Sequence, residues 1–233
     1  MSDGLVAFIK VHTARFIVTP ECAVFAKNSK KNTEIKSDSD TKNDKVENHD
    51  NNMNGMDIEK EVKEVENEGD CEWELIIALR DTPHLTYLHC GTYEQRFVTL
   101  NESAWDMHCS FTPLHLAVSP NKKYLLIATD KNFHFIVKIG ESQRLRFLAG
   151  GHSSGDFGKP RVSWDNTGKY VYCNNEEGTS ISIYSVCTER SVRSLSVHTG
   201  SVRDVICHPT KPIMASASYD KSVILFSIKS VNE

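Results

Sequence analysis

"VRDVICHPTKPIMASASYDKSVILF", residues 202–226, holds three short runs rich in apolar and β-branched residues: VRDVIC, IMASAS and SVILF. His208-Pro-Thr-Lys-Pro212 parts the first pair and Tyr219-Asp-Lys221 the second. Such runs, bounded by Pro, Asp and Lys, are strand signals with turn chemistry between them. Whether this meander stands alone or is one copy of a repeat decides the fold.

It is one copy. PLHLAVSPNKKYLLIATDKNFHFIVKI (113–139) and KPRVSWDNTGKYVYCNNEEGTSISIYSV (159–186) repeat the same order of strand, polar turn, strand, polar turn, strand. Pro120, Asn166 and Pro209 share one position in the first turn, 46 and then 43 residues apart. One further strand precedes each copy: EQRFVTL (94–100), RLRFLAG (144–150) and VRSLSV (192–197). A fourth copy lies upstream, with ELIIALRD (74–81) and HLTYLHC (84–90) as its later strands and LVAFIKV (5–11) and ARFIV (14–18) as its earlier ones. Four strands in a period of about 45 residues predict an all-β propeller built from about four blades. YLLIA and VILF are almost wholly apolar, as a blade packed on both faces requires.

Residues 27–72 are different material. They carry 14 Asp/Glu against 8 Lys, a net charge of −6, within a chain of 233 residues and net charge −4. Aromatics are absent and apolar residues too sparse to offset ordering entropy, so a disordered acidic insertion is expected. The domain reading is therefore residues 1–26 for the outer and inner strands of the first blade, 27–72 for the insertion, and 73–233 for the blades. The repeats divide at about 73–90, 91–140, 141–187 and 188–233. The seven cysteines are odd in number and form no C-x-x-C pair, which points to reduced thiols, no disulfide framework, and a cytoplasmic or nuclear protein. The first apolar run, GLVAFIKVHTARFIV, is broken by Lys10, His12 and Arg15, so neither a signal peptide nor a membrane span is read there.

With period and strand order in place, the chain resembles the WD-repeat β-propeller family. The match is closest in the last copy. VHTG (197–200) stands at the family's Gly-His pair, SASYD (216–220) at its Ser-x-Asp turn, and Phe226 at its closing Trp. The resemblance implies a structural network in which Asp220 accepts from His198, completed by Ser218 and the aromatic. Phe226 lacks an indole donor, which implies a shorter relay. The third copy keeps Gly151-His152, with Glu176-Glu177 at the acidic turn and Tyr184 at the aromatic; the second keeps Thr129, and the first Asp81. Propellers of this family close with roughly six to eight blades, so the expectation is an incomplete ring, part of a larger propeller or completed by another chain.

No catalytic constellation assembles in the sequence, and no cofactor or metal is expected. His198, Asp220 and Ser218 evoke a Ser-His-Asp triad, but that chemistry needs an exposed nucleophile and an oxyanion site. His89-Cys90, His108-Cys109 and Cys207-His208 place their side chains on opposite faces of a strand and cannot chelate as units. The expected function is a non-catalytic scaffold that docks other proteins on its blade loops. The resemblance implies contact positions Ser201, Arg203 and Tyr219 in the last blade, and Gly158, Pro160 and Glu176 in the one before. The alternative is nucleic-acid association, with Arg144, Arg146, Lys159, Arg161, Arg190, Arg193 and Arg203 contacting phosphates.

Overall fold

Short polar turns join neighbouring strands in antiparallel hairpins, and apolar faces on both sides of each sheet stack the sheets on one another. The computed structural model describes residues 19–27, 72–101, 110–150, 159–174 and 179–228, and every regular element among them is a β-strand. The first sheet contains β1 (Pro20–Lys27), β2 (Trp73–Leu79), β3 (His84–His89) and β4 (Gln95–Thr99). The second contains β5 (Pro113–Val118), β6 (Tyr124–Thr129), β7 (Phe133–Lys138) and β8 (Arg144–Ala149). In the third are β9 (Val162–Trp164), β10 (Tyr170–Asn174), β11 (Ser180–Ser185) and β12 (Ser191–Ser196). β13 (Val202–Cys207), β14 (Ile213–Ser218) and β15 (Val223–Ser227) make a fourth sheet of three strands.

Three boundaries differ from the sequence reading. Strands β4, β8 and β12 pair with β3, β7 and β11, so each closes the sheet before it and does not open the next. The short turns 90–94 and 139–143 explain β4 and β8, because a tight link favours an antiparallel neighbour; β12 has equally short links, 186–190 and 197–201, on its two sides. Among the described residues the fourth sheet consequently has three strands, not the four that the repeat count gave it. The first sheet's inner strand is β1, downstream of ARFIV, and runs through PECAVFAK. LVAFIKV and ARFIV lie outside the described residues, as does nearly all of the acidic segment. Lys27 and Trp73 are cross-strand partners, so that segment leaves and re-enters at the β1–β2 turn.

Inner strands β1, β5, β9 and β13 adjoin in chain order, and no comparable contact joins β13 to β1 among the described residues. Ile76, Leu85 and Tyr87 of the first sheet meet Leu125, Ile127 and Phe135 of the second. The opposite face of the second, Leu126, Ile136 and Leu148, meets Trp164, Val171 and Tyr184 of the third. Tyr172 and Ile181 then meet Val202, Val205 and Met214 of the fourth. This is why YLLIA has no polar face. Burying each large apolar side chain contributes about 1.5–3 kcal/mol, against about 0.5–1.5 kcal/mol net for one hydrogen bond, so packing dominates.

The sheet ends define two faces. Three matching turns lie on the lower face, closed by Ser119 N to Tyr124 O, Asp165 N to Tyr170 O, and His208 N to Ile213 O. Pro120, Asn166 and Pro209 each follow the first residue of these pairs, as the repeat alignment predicts. The upper face carries the β14–β15 turn and the loop leading into β13. On the outward side of the fourth sheet Ile206, Val223 and Leu225 are exposed, lying over Ala215 and Ala217.

Candidate interaction site

The upper face of the fourth sheet is organised by one buried imidazole. His198 precedes β13, and its Nδ1 lies 2.9 Å from Asp220 Oδ2 and 3.1 Å from Ser222 Oγ. Its Nε2 lies 2.7 Å from Ser216 Oγ. An ionised carboxylate only accepts, so the ring proton sits on Nδ1, and Nε2 accepts from the Ser216 hydroxyl. Asp220 also accepts from the Thr199 amide at 3.0 Å, the Ser222 amide at 2.9 Å and the Ser222 hydroxyl at 2.5 Å. These donors, the Ser222 hydroxyl first, hold its carboxyl well below the usual carboxylate range, with desolvation opposing them. Gly200 lets the loop approach the turn, since a Cβ there would stand 2.8 Å from Asp220 N.

The serine beneath the ring is therefore Ser216, not Ser218. Ser218 Oγ donates to Gly200 O at 2.9 Å and accepts from Asp220 N at 3.2 Å, so it ties the loop to the turn instead. Phe226 pairs with Met214 and packs into the cluster against the third sheet. The relay ends at Ser216 without an indole. Ser216 is 2% exposed, so its hydroxyl is enclosed beneath the ring.

The turn held by this relay carries Tyr219, whose ring is 65% exposed. Its amide donates to Ser201 O at 3.0 Å, which fixes the backbone of the turn against the start of β13. The Arg203 guanidinium lies 4.6 Å from the Tyr219 ring centroid. Two expected contact residues thus form one stacked, exposed unit, while half-buried Ser201 acts through its carbonyl.

Comparison with known proteins accords with this geometry. The family description "WD domain, G-beta repeat" matches residues 189–227, which span β12 through β15 and contain the whole relay. The chain's fold is also that of a solved propeller, the β-propeller domain of Cps50 (Swd1) from Myceliophteria thermophila, at TM-score 0.52 and 12% identity. Residues 189–227 thus match a WD repeat, on a chain with a β-propeller fold. The solved likeness covers 67% of the chain and 50% of that domain. A curated relative, the U5 small nuclear ribonucleoprotein 40 kDa protein of Dictyostelium discoideum, is 33% identical over 69 residues. That stretch is 30% of this chain and 19% of the relative, so the chain matches a small part of that protein's length.

The other three sheets keep the scaffold and lose the relay. Asp81 follows Arg80 as Asp220 follows Tyr219, but it is exposed, with φ 54°. Thr129, buried, donates to Phe133 O at 2.6 Å. Asp130 stands where Tyr219 does, since its amide donates to Thr112 O at 3.0 Å. Tyr184 donates its hydroxyl to Gly150 O. Pro160 is buried in the link two residues ahead of β9 and offers little contact surface. Gly158, Glu176 and His152 lie outside the described residues.

Two of the seven basic residues named above make internal contacts. Arg144 lies over Phe111 and Phe135 and donates to Leu100 O at 3.0 Å. Arg146 donates to Val186 O at 3.2 Å, with Glu189 at 3.7 Å. His89 and His208 cap turns through Nδ1, accepting from the Thr92 and Lys211 amides at 3.0 and 3.1 Å. His108 and Cys109 lie outside the described residues, and among the described ones no three His, Cys, Asp or Glu side chains converge. Burial pushes the Cys22 thiol up to about 12 and the Cys207 thiol up to about 11. One ring escaped the sequence reading: His115 on β5 accepts from the Val162 amide at 3.2 Å and links two sheets. Burial, aided by Arg161, lowers it to about 4, so it is neutral at pH 7. Among the described residues no helix is long and apolar enough to cross a membrane.

Proposed function

We propose that this WD-repeat chain is a non-catalytic scaffold whose upper face docks protein partners through Arg203 and Tyr219. The stacked pair carries the reading. An exposed Tyr, held against a guanidinium at 4.6 Å on a turn fixed by buried hydrogen bonds, offers large contact area at small entropic cost. The diversity at the same turn position supports selective recognition: Arg80, bonded to Glu21, occupies it in the first sheet and Asp130 in the second. The test is affinity capture with wild type and with Arg203→Ala/Tyr219→Ala, after circular dichroism confirms that both fold. Partners kept by wild type and lost by the variant support the reading. Identical partner sets overturn it.

A second reading, nucleic-acid association, is favoured by one observation, the 33% identity over 69 residues to a small nuclear ribonucleoprotein component. Commitment of Arg144 and Arg146 to internal contacts weighs against it. Retention on a polyanion that falls steeply with salt would support it.

A further inference from the structure

We propose that the lower face holds a second docking site, a cleft between the second and third sheets that takes an acidic peptide segment bearing one apolar side chain. The cleft is about 350 Å³, within the range of sites that enclose a small group. Its apolar lining comes from Tyr124, Ile136, Leu145, Trp164 and Val186. The walls are fixed: Trp164 Nε1 donates to Ala117 O at 3.0 Å, and Asn121 Oδ1 accepts from the Lys123 amide at 3.0 Å. Such a preformed cup suits a leucine-sized side chain.

The rim sets the rest of the chemistry. Lys122 and Lys123 stand exposed in the β5–β6 turn, and Lys169 in the β9–β10 turn. Arg146 lies at the mouth. Two carboxylates are near. Glu189 already faces Arg146, and Asp165 is buried, accepting from the Thr167 hydroxyl and, at 2.9 Å, from the Tyr170 amide. Lys122 and Lys123 fall in the chain between the lining residues Asn121 and Tyr124, and Lys169 follows the lining residue Gly168; none of the three is ion-paired among the described residues, so positive charge flanks the cleft. Complementarity selects Asp or Glu flanking the apolar anchor. A nucleic acid fits less well, because it needs exposed aromatic faces for stacking and Trp164 is 7% exposed. The site is on the opposite face from Arg203 and Tyr219, so its test does not depend on the upper-face reading.

The experiment uses the full chain and a short fluorescein-labelled peptide, rich in Glu with one central Leu. Anisotropy reads affinity, and Trp73→Phe/Trp105→Phe leaves Trp164 as the reporter indole. Saturable binding with a change in Trp164 emission is expected. Lys122→Glu/Lys169→Glu, and separately Leu145→Gln, should weaken it about tenfold or more. Replacing the peptide's Leu by Ser should weaken it comparably, while Arg203→Ala/Tyr219→Ala should not matter. Equal affinity for the Ser peptide, unchanged Trp164 emission, displacement of the peptide by single-stranded RNA bound more tightly than it, or retention by both cleft variants would overturn the proposal.

Discussion

Replacing Ser216 by alanine removes one hydroxyl from the centre of the relay while leaving the packing volume almost unchanged. His198 Nε2 then loses its donor at 2.7 Å, inside a site where the imidazole is buried and Ser216 is 2% exposed. Water has no route to replace the bond, so the acceptor stays unsatisfied, at a cost of about 1–3 kcal/mol. For a chain of this size each kcal/mol moves Tm by about 2–4 °C, which predicts a fall of about 2–12 °C. Ser218→Ala is the internal comparison. Its half-buried hydroxyl bonds Gly200 O, which water can reach, so about 0.5–1.5 kcal/mol is expected. Urea and thermal unfolding followed by circular dichroism measure both. If Ser216→Ala melts with wild type while Ser218→Ala falls further, the relay does not run through Ser216.

Gly200→Ala sets a Cβ 2.8 Å from Asp220 N, and should lower stability by about 1–3 kcal/mol in the same unfolding assay. His115 has a folded-state pKa of about 4, below its ordinary 6.5, so the unfolded chain protonates first as pH falls. Its stabilising effect is complete above about pH 6.5 and declines from there to about pH 4; His115→Gln should flatten that part of the urea-midpoint profile. Exposed Ile206, Val223 and Leu225, beside the edge strand β15, predict self-association in sedimentation velocity. Val223→Lys/Leu225→Lys should shift the chain toward monomer.

What the sequence disclosed, and what it hid, follows from how local each cue is. Turn chemistry is local, so Pro120, Asn166 and Pro209 aligned correctly and brought the strands between them into line. Sheet membership of β4, β8 and β12 depends on which neighbour pairs first, and a repeat period cannot distinguish the two sides of a strand. The lengths of the links could have for β4 and β8, where 90–94 and 139–143 are shorter than 100–112 and 150–161, but not for β12, where 186–190 and 197–201 are equal. Ser216 and Ser218 share one face of β14 because strand side chains alternate with period two. Only the height of the His198 ring chooses between them. Pro160 was misjudged because exposure of a turn position in one sheet does not transfer to a neighbour packed differently. Arg203 and Tyr219 were legible as positions, but their stacking was not, since it depends on the facing of two strands.

The upper-face claim is tested most directly by placing a photo-crosslinking amino acid at position 219, with a second chain carrying it at exposed position 192 on β12. Irradiation in lysate, followed by mass spectrometry, identifies what each position touches. Protein adducts formed from 219, absent from 192 and abolished by Arg203→Ala are the predicted result. Nucleic-acid adducts at 219, or identical protein adducts at both positions, would contradict it.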